Sequence, residues 1–224
     1  MIFGGRIVGN KRDLIYEEAK RMIIEGELPP LADFPEELFK SKFSTSRMPV
    51  REAVLRLERE GFVHVYPQKG TFVADISIEV LRQVYELRLL VEPALVQRAC
   101  QVWTDEKIHQ LIERTEQIPK FASQAEYRDY YNIFDRDLHN EILNTTDNMF
   151  LLQTMQWAYD HNHRARLLAS QRAWETFELA KEEHIKLLEA IQKRDKKLAV
   201  KLIERHLYKG ASDFSSLSFF PSRL

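Results

Sequence analysis

Four residues in the second half of the chain could bind a metal ion: Asp135, His139, His184 and His206. Asp135 and His139 are four positions apart, so on a helix their side chains project from one face. His184 and His206 are 22 positions apart, or about 33 Å along one straight helix. However, Asp195 lies midway between them in a polar run. If Asp195 caps a second, antiparallel helix, both histidines return to the same height.

The four residues would supply one oxygen and three nitrogen donors. This set suits a divalent cation such as zinc, nickel or manganese, with positions left open for water or a ligand. A histidine in a helix is also commonly a surface or hydrogen-bonded core residue, so spacing alone leaves both interpretations open. His64 and His109 are interpreted as such residues. His161 and His163 are two positions apart, point in different directions and cannot form a pair on one helix face.

Helices must position this set, and the sequence after residue 78 has helical periodicity without a convincing strand. Thr104, Asp147 and Asp195 resemble N-caps, and Pro119 indicates a break. Residues 75–78 read as a short linker. An all-α bundle of about six helices is predicted, with segments at 79–101, 104–118, 126–144, 148–171, 174–193 and 195–217.

A second group of candidate residues lies on a predicted helix that follows Ser46, a plausible N-cap. Arg47 and Arg51 are four apart, which places both guanidinium groups on one face, where they can reach guanine edges or phosphates. Met48 lies between them and could contact a thymine methyl group. The opposite face carries an apolar stripe of Val50, Val54 and Leu57.

The elements around this helix complete a DNA-binding pattern. Two helices precede it, at about 11–25 and 35–42, and a hairpin of alternating residues follows over 62–73. Lys69 and Gly70 form the tip of the hairpin and could follow a phosphate backbone. Charged pairs on a helix are often only a solvated face, but the complete order of elements favours a winged helix-turn-helix.

Composition limits the remaining possibilities. The chain has 224 residues and a net charge of −1, with 33 basic and 34 acidic residues, so DNA binding must depend on where charges lie. The single cysteine, Cys100, excludes an intramolecular disulfide. No apolar run approaches the roughly 20 residues that cross a bilayer, and the N-terminus lacks a signal-peptide core. A cytoplasmic protein without membrane contact is expected.

The first domain resembles the DNA-binding domain of GntR-family transcription regulators over about residues 11–75. The segments ELPP, SRMPVREAVLRLEREGFV and KGTFV carry the resemblance. It implies base and phosphate contacts by Arg47, Met48 and Arg51, with Lys69 and Gly70 in the wing. Met48 stands where a threonine is more usual, which affects the operator sequence that is read.

The remainder, about 79–217, is similar to the helical ligand-binding domain of the FadR-like branch, six-helix subtype. The aspartate four before a histidine, EEHIKLLEAI and ERHL carry this similarity. It implies a divalent cation at an effector pocket, with Asp135, His139, His184 and His206 as the matching ligands. Family effectors are often organic or sugar acids.

Arg88 is the candidate for the effector's other end, because it lies among apolar residues and a guanidinium can clamp a carboxylate. The alternative is an ion pair with Glu92. Arg164 and Arg166 are weaker candidates, because they could lie on a solvated face.

The prediction is a mainly α protein, with a winged helix-turn-helix over 1–76 and a helical effector- and metal-binding domain over 79–217. It would act as a homodimeric transcription regulator, a repressor, on an inverted-repeat operator. Two rivals remain: a regulator that binds an apolar or acyl ligand without metal, and a metal-dependent hydrolase. The hydrolase lacks an obvious nucleophile or general base, so a non-enzyme is expected.

Overall fold

The structure is a computed structural model that describes the backbone of residues 10–118, 124–168 and 174–215. Side chains are described within 10–118, 134–167 and 179–212. The chain divides after Ile76 into two compact units. The fold is mainly α, with a winged helix-turn-helix followed by a helical domain, which confirms the predicted fold class. None of the described helices is long and apolar enough to cross a membrane.

The first unit contains three helices and one hairpin among its described residues. The elements are α1 (Lys11–Ile24), α2 (Glu36–Lys42), α3 (Arg47–Arg59), β1 (Val63–Tyr66) and β2 (Gly70–Val73). Helix α3 packs on both α1 and α2. Its predicted inward stripe of Val50, Val54 and Leu57 is buried, as expected. Burial of this stripe fixes the rotation of α3 and leaves its arginines outward.

The hairpin is held to the rest of the unit through the segment before α2. The strands pair antiparallel, with Val63 opposite Val73 and Tyr66 opposite Gly70. The Phe34 amide donates to the Thr71 carbonyl at 2.8 Å, and the Leu31 amide donates to the Val73 carbonyl at 3.0 Å. The segment before α2 therefore lies alongside β2, with an isolated antiparallel bridge between Asp33 and Phe72.

The second unit contains six helices among the residues described. They are α4 (Ile78–Val102), α5 (Asp105–Glu116), α6 (Gln124–Leu143), α7 (Met149–Leu168), α8 (Trp174–Gln192) and α9 (Lys196–Ser215). Helix α4 packs on α7 and α9, and α8 packs on α5 and α9. Pro119 and the predicted helical residues 169–171 and 216–217 lie outside the described residues.

Two predicted boundaries in this unit are wrong. The linker is shorter than 75–78, because α4 begins at Ile78 and Ser77 Oγ accepts from the Val80 amide at 3.5 Å. The cap of α7 is Asn148, whose Oδ1 accepts from the Phe150 amide at 3.0 Å. Asn148 Oδ1 also accepts from the Leu151 amide at 3.3 Å, so Asn148, and not Asp147, serves both the second and the third residue after it, as an N-cap does.

The turn between α8 and α9 is fixed at both ends. Asp195 Oδ1 accepts from the Leu198 amide at 3.0 Å, which confirms Asp195 as the N-cap of α9. Arg194 adopts a left-handed backbone with φ of 59°, a conformation that is unfavourable for a residue with a Cβ. Its guanidinium donates to the Trp103 carbonyl at 2.8 Å and to Asp105 Oδ1 at 2.5 Å. The turn is thereby anchored to the end of α4.

Gly210 permits the close packing of α9 on α4. A Cβ at this position would lie 2.8 Å from the Tyr85 hydroxyl oxygen and 3.2 Å from Arg166 Nη2. We expect Gly210→Ala to lower the free energy of unfolding by about 1–3 kcal/mol, as overpacking does. Thermal denaturation measures the loss. In a Tyr85→Phe background the hydroxyl oxygen is absent, so Gly210→Ala should lower the free energy of unfolding by less. An equal loss of stability in both backgrounds would contradict the contact with the Tyr85 hydroxyl.

Candidate metal centre and DNA-contacting surface

The four predicted metal ligands come together in the second unit. Asp135 and His139 lie on α6, His184 lies on α8 and His206 lies on α9. All four side chains are buried, and one ligand atom from each lies within 4.8 Å of the others. The antiparallel α8–α9 hairpin returns the two distant histidines to the same height.

The distances within this cluster suit a common cation. His206 Nε2 lies 3.4 Å from both His139 Nε2 and His184 Nε2. Asp135 Oδ1 lies 3.2 Å from His184 Nε2 and 3.7 Å from His206 Nε2. Two ligand atoms each about 2.1 Å from a tetrahedral metal are about 3.4 Å apart. The donor set and its spacing therefore fit a divalent ion.

Two further carboxylates orient the histidine rings. His139 Nδ1 donates to Glu92 Oε2 at 2.7 Å, and His206 Nδ1 donates to Glu183 Oε2 at 3.1 Å. Each bond directs the other ring nitrogen, Nε2, into the cluster, as outer carboxylates do at metal sites. The sequence did not indicate Glu92 in this role, since it lies 47 residues before His139 on another helix.

Burial and charge together set the ionisation of the cluster. Burial opposes ionisation of Asp135, but Arg166 and the hydrogen bonds from His184 and His206 hold its pKa well below the usual value. Burial lowers the pKa of His184 to about 4, against the opposing effect of Asp135. At neutral pH the cluster therefore offers an ionised carboxylate and a neutral His184 imidazole, the forms that bind metal.

A pocket rich in polar side chains adjoins the cluster. Arg166 Nε lies 3.9 Å from Asp135 Oδ2, and the Arg164 residue is only 2% exposed. The interpretation that these two arginines lie on a solvated face is wrong, because Arg164 is buried and the Arg166 side chain is only 17% exposed, on the side of α7 that packs on α4 and α6. His163, which was not expected to take part in a site because it cannot pair with His161 on one helix face, also lines the pocket. The lining residues are Arg88, Asp135, Arg136, His139, Tyr159, Asn162, His163 and Arg166.

Arg88 is buried in the same pocket and forms the ion pair with Glu92 that was the alternative interpretation. Its Nε donates to Glu92 Oε1 at 2.6 Å. The guanidinium carbon lies 5.3 Å from the ring centres of Tyr85 and Tyr159. Both terminal nitrogens, Nη1 and Nη2, lack a hydrogen-bond partner among the described residues. Two parallel donors are therefore left for an incoming group.

The five residues expected to contact DNA lie on the surface of the first unit. Met48 is 61% exposed and the Arg47 side chain 81%, and Arg51 is exposed one turn later. Lys69 and Gly70 lie at the hairpin tip, where Gly70 has φ of 118°, a conformation that favours glycine. The arginines share the outer face of α3, beside the exposed wing.

A winged helix with outward arginines, followed by a helical domain with a buried polar pocket, defines a two-domain DNA-binding transcription regulator. Residues 11–73 match the model of the bacterial regulatory proteins of the gntR family, and residues 83–209 match the FCD domain. The chain belongs to the GntR family, in the FadR-like branch that carries an FCD domain.

Several known proteins are similar over most of the chain. The HTH-type transcriptional repressor RspR of Escherichia coli is 25% identical over 86% of this chain and 84% of its own. The gluconate operon transcriptional repressor of Bacillus licheniformis is 24% identical over 84% of this chain and 79% of its own. The structure of a putative GntR transcriptional regulator from Rhodococcus sp. RHA1 superposes with a TM-score of 0.74 at 17% identity. The match covers 92% of this chain and 98% of that structure's chain. The relatives are named as transcription regulators, and this chain is a regulator, not an enzyme.

Proposed function

We propose that the protein is a homodimeric repressor that binds an inverted-repeat operator in the cytoplasm. Each subunit inserts α3 into a major groove, where Arg47, Met48 and Arg51 contact bases and phosphates. Lys69 and Gly70 place the wing against the backbone. The exposure of these side chains supports the assignment, and both relatives described above are named as repressors.

The second domain, beginning near residue 79, binds a divalent cation through Asp135, His139, His184 and His206. Zinc, nickel and manganese all suit three imidazole nitrogens and one carboxylate oxygen. The observation that carries this proposal is the convergence of three Nε2 atoms and one Oδ1 atom in a buried cluster. When bound, the cation supplies open coordination positions for an oxygen ligand.

The effector is a small carboxylate, an organic or sugar acid. The pocket beside the cluster is lined by three arginines and two histidines, which suit an anion. Arg88 directs two buried donors that lack partners within the described residues, the geometry that binds a carboxylate bidentately. A metal-free site for an apolar or acyl ligand is less well supported, because every residue that lines the pocket carries a polar or ionisable group. The gluconate operon transcriptional repressor, a relative, is also named for a sugar acid.

Effector binding changes DNA affinity by favouring one arrangement of the dimer over another. The link between the units is only a few residues, Asp75 to Ser77, so a shift at the start of α4 is passed on over a short length of chain.

A panel of organic and sugar acids tests the effector assignment. We expect at least one to raise the melting temperature of metal-loaded protein, by the equivalent of about 2.7 kcal/mol at a concentration 100 times its Kd. Arg88→Met should abolish most of this gain, and EDTA treatment should do the same. Stabilisation by octanoate alone that survives EDTA would favour the acyl ligand instead.

A further inference from the structure

Glu92 connects Arg88 to the metal cluster through its two oxygens. The carboxylate is 0% exposed. Oε1 accepts from Arg88 Nε at 2.6 Å, and Oε2 accepts from His139 Nδ1 at 2.7 Å. The Arg88 guanidinium, the Glu92 carboxylate and the His139 imidazole are therefore joined by a buried series of hydrogen bonds that ends at the cluster.

We infer that Arg88 and Glu92 are positioning residues that fix the His139 proton on Nδ1 and so keep the Nε2 lone pair directed at the cluster. Arg88 would thus help to orient a metal ligand, in addition to making the effector contact proposed above. The inference rests on the proposed metal centre, but the tautomer that it specifies is a property of the protein alone.

The direction of the hydrogen bonds follows from the chemistry of the three groups. A guanidinium can only donate, and an ionised carboxylate can only accept. Glu92 Oε1 lies 2.6 Å from Arg88 Nε, so the carboxylate is paired with a permanent positive charge that favours its ionised form. Glu92 is therefore an acceptor on both oxygens at neutral pH, and His139 Nδ1 must carry the hydrogen.

No other described group near Glu92 imposes a different direction. Tyr159, whose ring lies beside that of His139, carries a hydroxyl. A neutral hydroxyl can donate or accept and adapts to either arrangement. The ring of His139 is itself confined, with its centre 6.0 Å from the Tyr159 ring and 5.4 Å from the His206 ring.

Glutamine at position 92 has almost the same shape as glutamate but would reverse the direction of the hydrogen bond to His139. Its amide has one acceptor and one donor end. Arg88 requires the oxygen, so the NH₂ group must face His139. Nδ1 must then accept, and the ring proton moves to Nε2, where it points into the cluster and blocks coordination. Removing Arg88 frees the amide to turn over, so that its oxygen again accepts from Nδ1.

The test compares wild type, Glu92→Gln, Arg88→Met and the double variant. Zinc affinity is measured by competition with a chromophoric chelator. We expect Glu92→Gln to weaken zinc binding by about 10- to 100-fold, the usual range for outer-shell partners, and the double variant to recover most of that loss. Glu113→Gln is the matched control, because Glu113 Oε1 pairs with His109 at 3.2 Å on an exposed surface, and it should leave zinc affinity unchanged.

A second measurement reports the tautomer without any metal. In ¹⁵N NMR spectra of the EDTA-treated, full-length variants, the unprotonated nitrogen of His139 resonates far downfield of the protonated one. We expect Nε2 to be the unprotonated nitrogen in wild type and in the double variant, and Nδ1 in Glu92→Gln. An unchanged tautomer in Glu92→Gln, or a double variant that binds zinc no better than Glu92→Gln, would overturn the inference. Wild type that binds no zinc but shows the expected tautomers would instead contradict the proposed metal centre.

Discussion

Arg51→Ala should abolish specific operator binding while the protein remains folded. Arg51 is exposed on the outer face of α3 and has no ion-pair partner within the described part of the chain, so its removal costs no internal contact. A lost bidentate contact to guanine costs about 1–3 kcal/mol. A dimer loses two such contacts, and operator affinity should fall by about 2–6 kcal/mol in a mobility-shift titration at fixed salt concentration.

Arg114→Ala is the matched control for this experiment, because Arg114 is an exposed arginine on α5 in the other unit. It removes the same charge and should leave operator affinity within about twofold. Circular dichroism should show equal helix content in both variants. Retention of full operator affinity by Arg51→Ala would exclude α3 as the recognition helix.

His184→Ala should remove stoichiometric metal from the protein. His184 is 1% exposed, and its Nε2 lies 3.2 Å from Asp135 Oδ1 and 3.4 Å from His206 Nε2, within the cluster. Changes to outer-shell partners typically weaken metal binding by about 10- to 100-fold, and loss of a ligand should exceed that range. Elemental analysis of protein purified without chelator measures the content, and metal added at 100 times the wild-type Kd should no longer stabilise the fold by about 2.7 kcal/mol.

His109→Ala controls for adventitious histidine binding, because His109 is an exposed histidine on α5. It should bind metal as wild type does. Equal metal content in wild type and His184→Ala, or no metal in either, would contradict the site.

The fold was largely predictable because its signals are local. The apolar stripe of α3 repeats every three to four residues, and Asp195 caps α9 from a position that the sequence makes visible. The family resemblance supplied the order of the elements. The one-residue error at Asp147 is of the kind expected where two adjacent polar residues can both cap a helix.

The environment of the candidate site was less predictable, because its contacts join distant helices. Glu92 and Glu183 each orient a ring across a helix interface, and nothing in their own neighbourhood marks them for that role. His163 was set aside because it could not pair with His161, yet it lines the pocket beside Asp135. Arg166 looked like a surface residue because local sequence does not show which side of α7 packs on α4 and α6.

Because the turn at Arg194 is anchored, the number of residues between α8 and α9 determines where His206 lies relative to His184. His184 and His206 lie 22 residues apart, with the turn between them. Each residue added to or removed from a helix rotates everything beyond it by about 100° and translates it by about 1.5 Å. A single insertion or deletion between Gln192 and Lys196 would carry His206 away from its three partners unless the turn absorbed it, and the bonds from Arg194 to Trp103 and Asp105 oppose such an adjustment. The length of this loop is therefore a constraint on the candidate metal centre, in addition to the identity of the histidines.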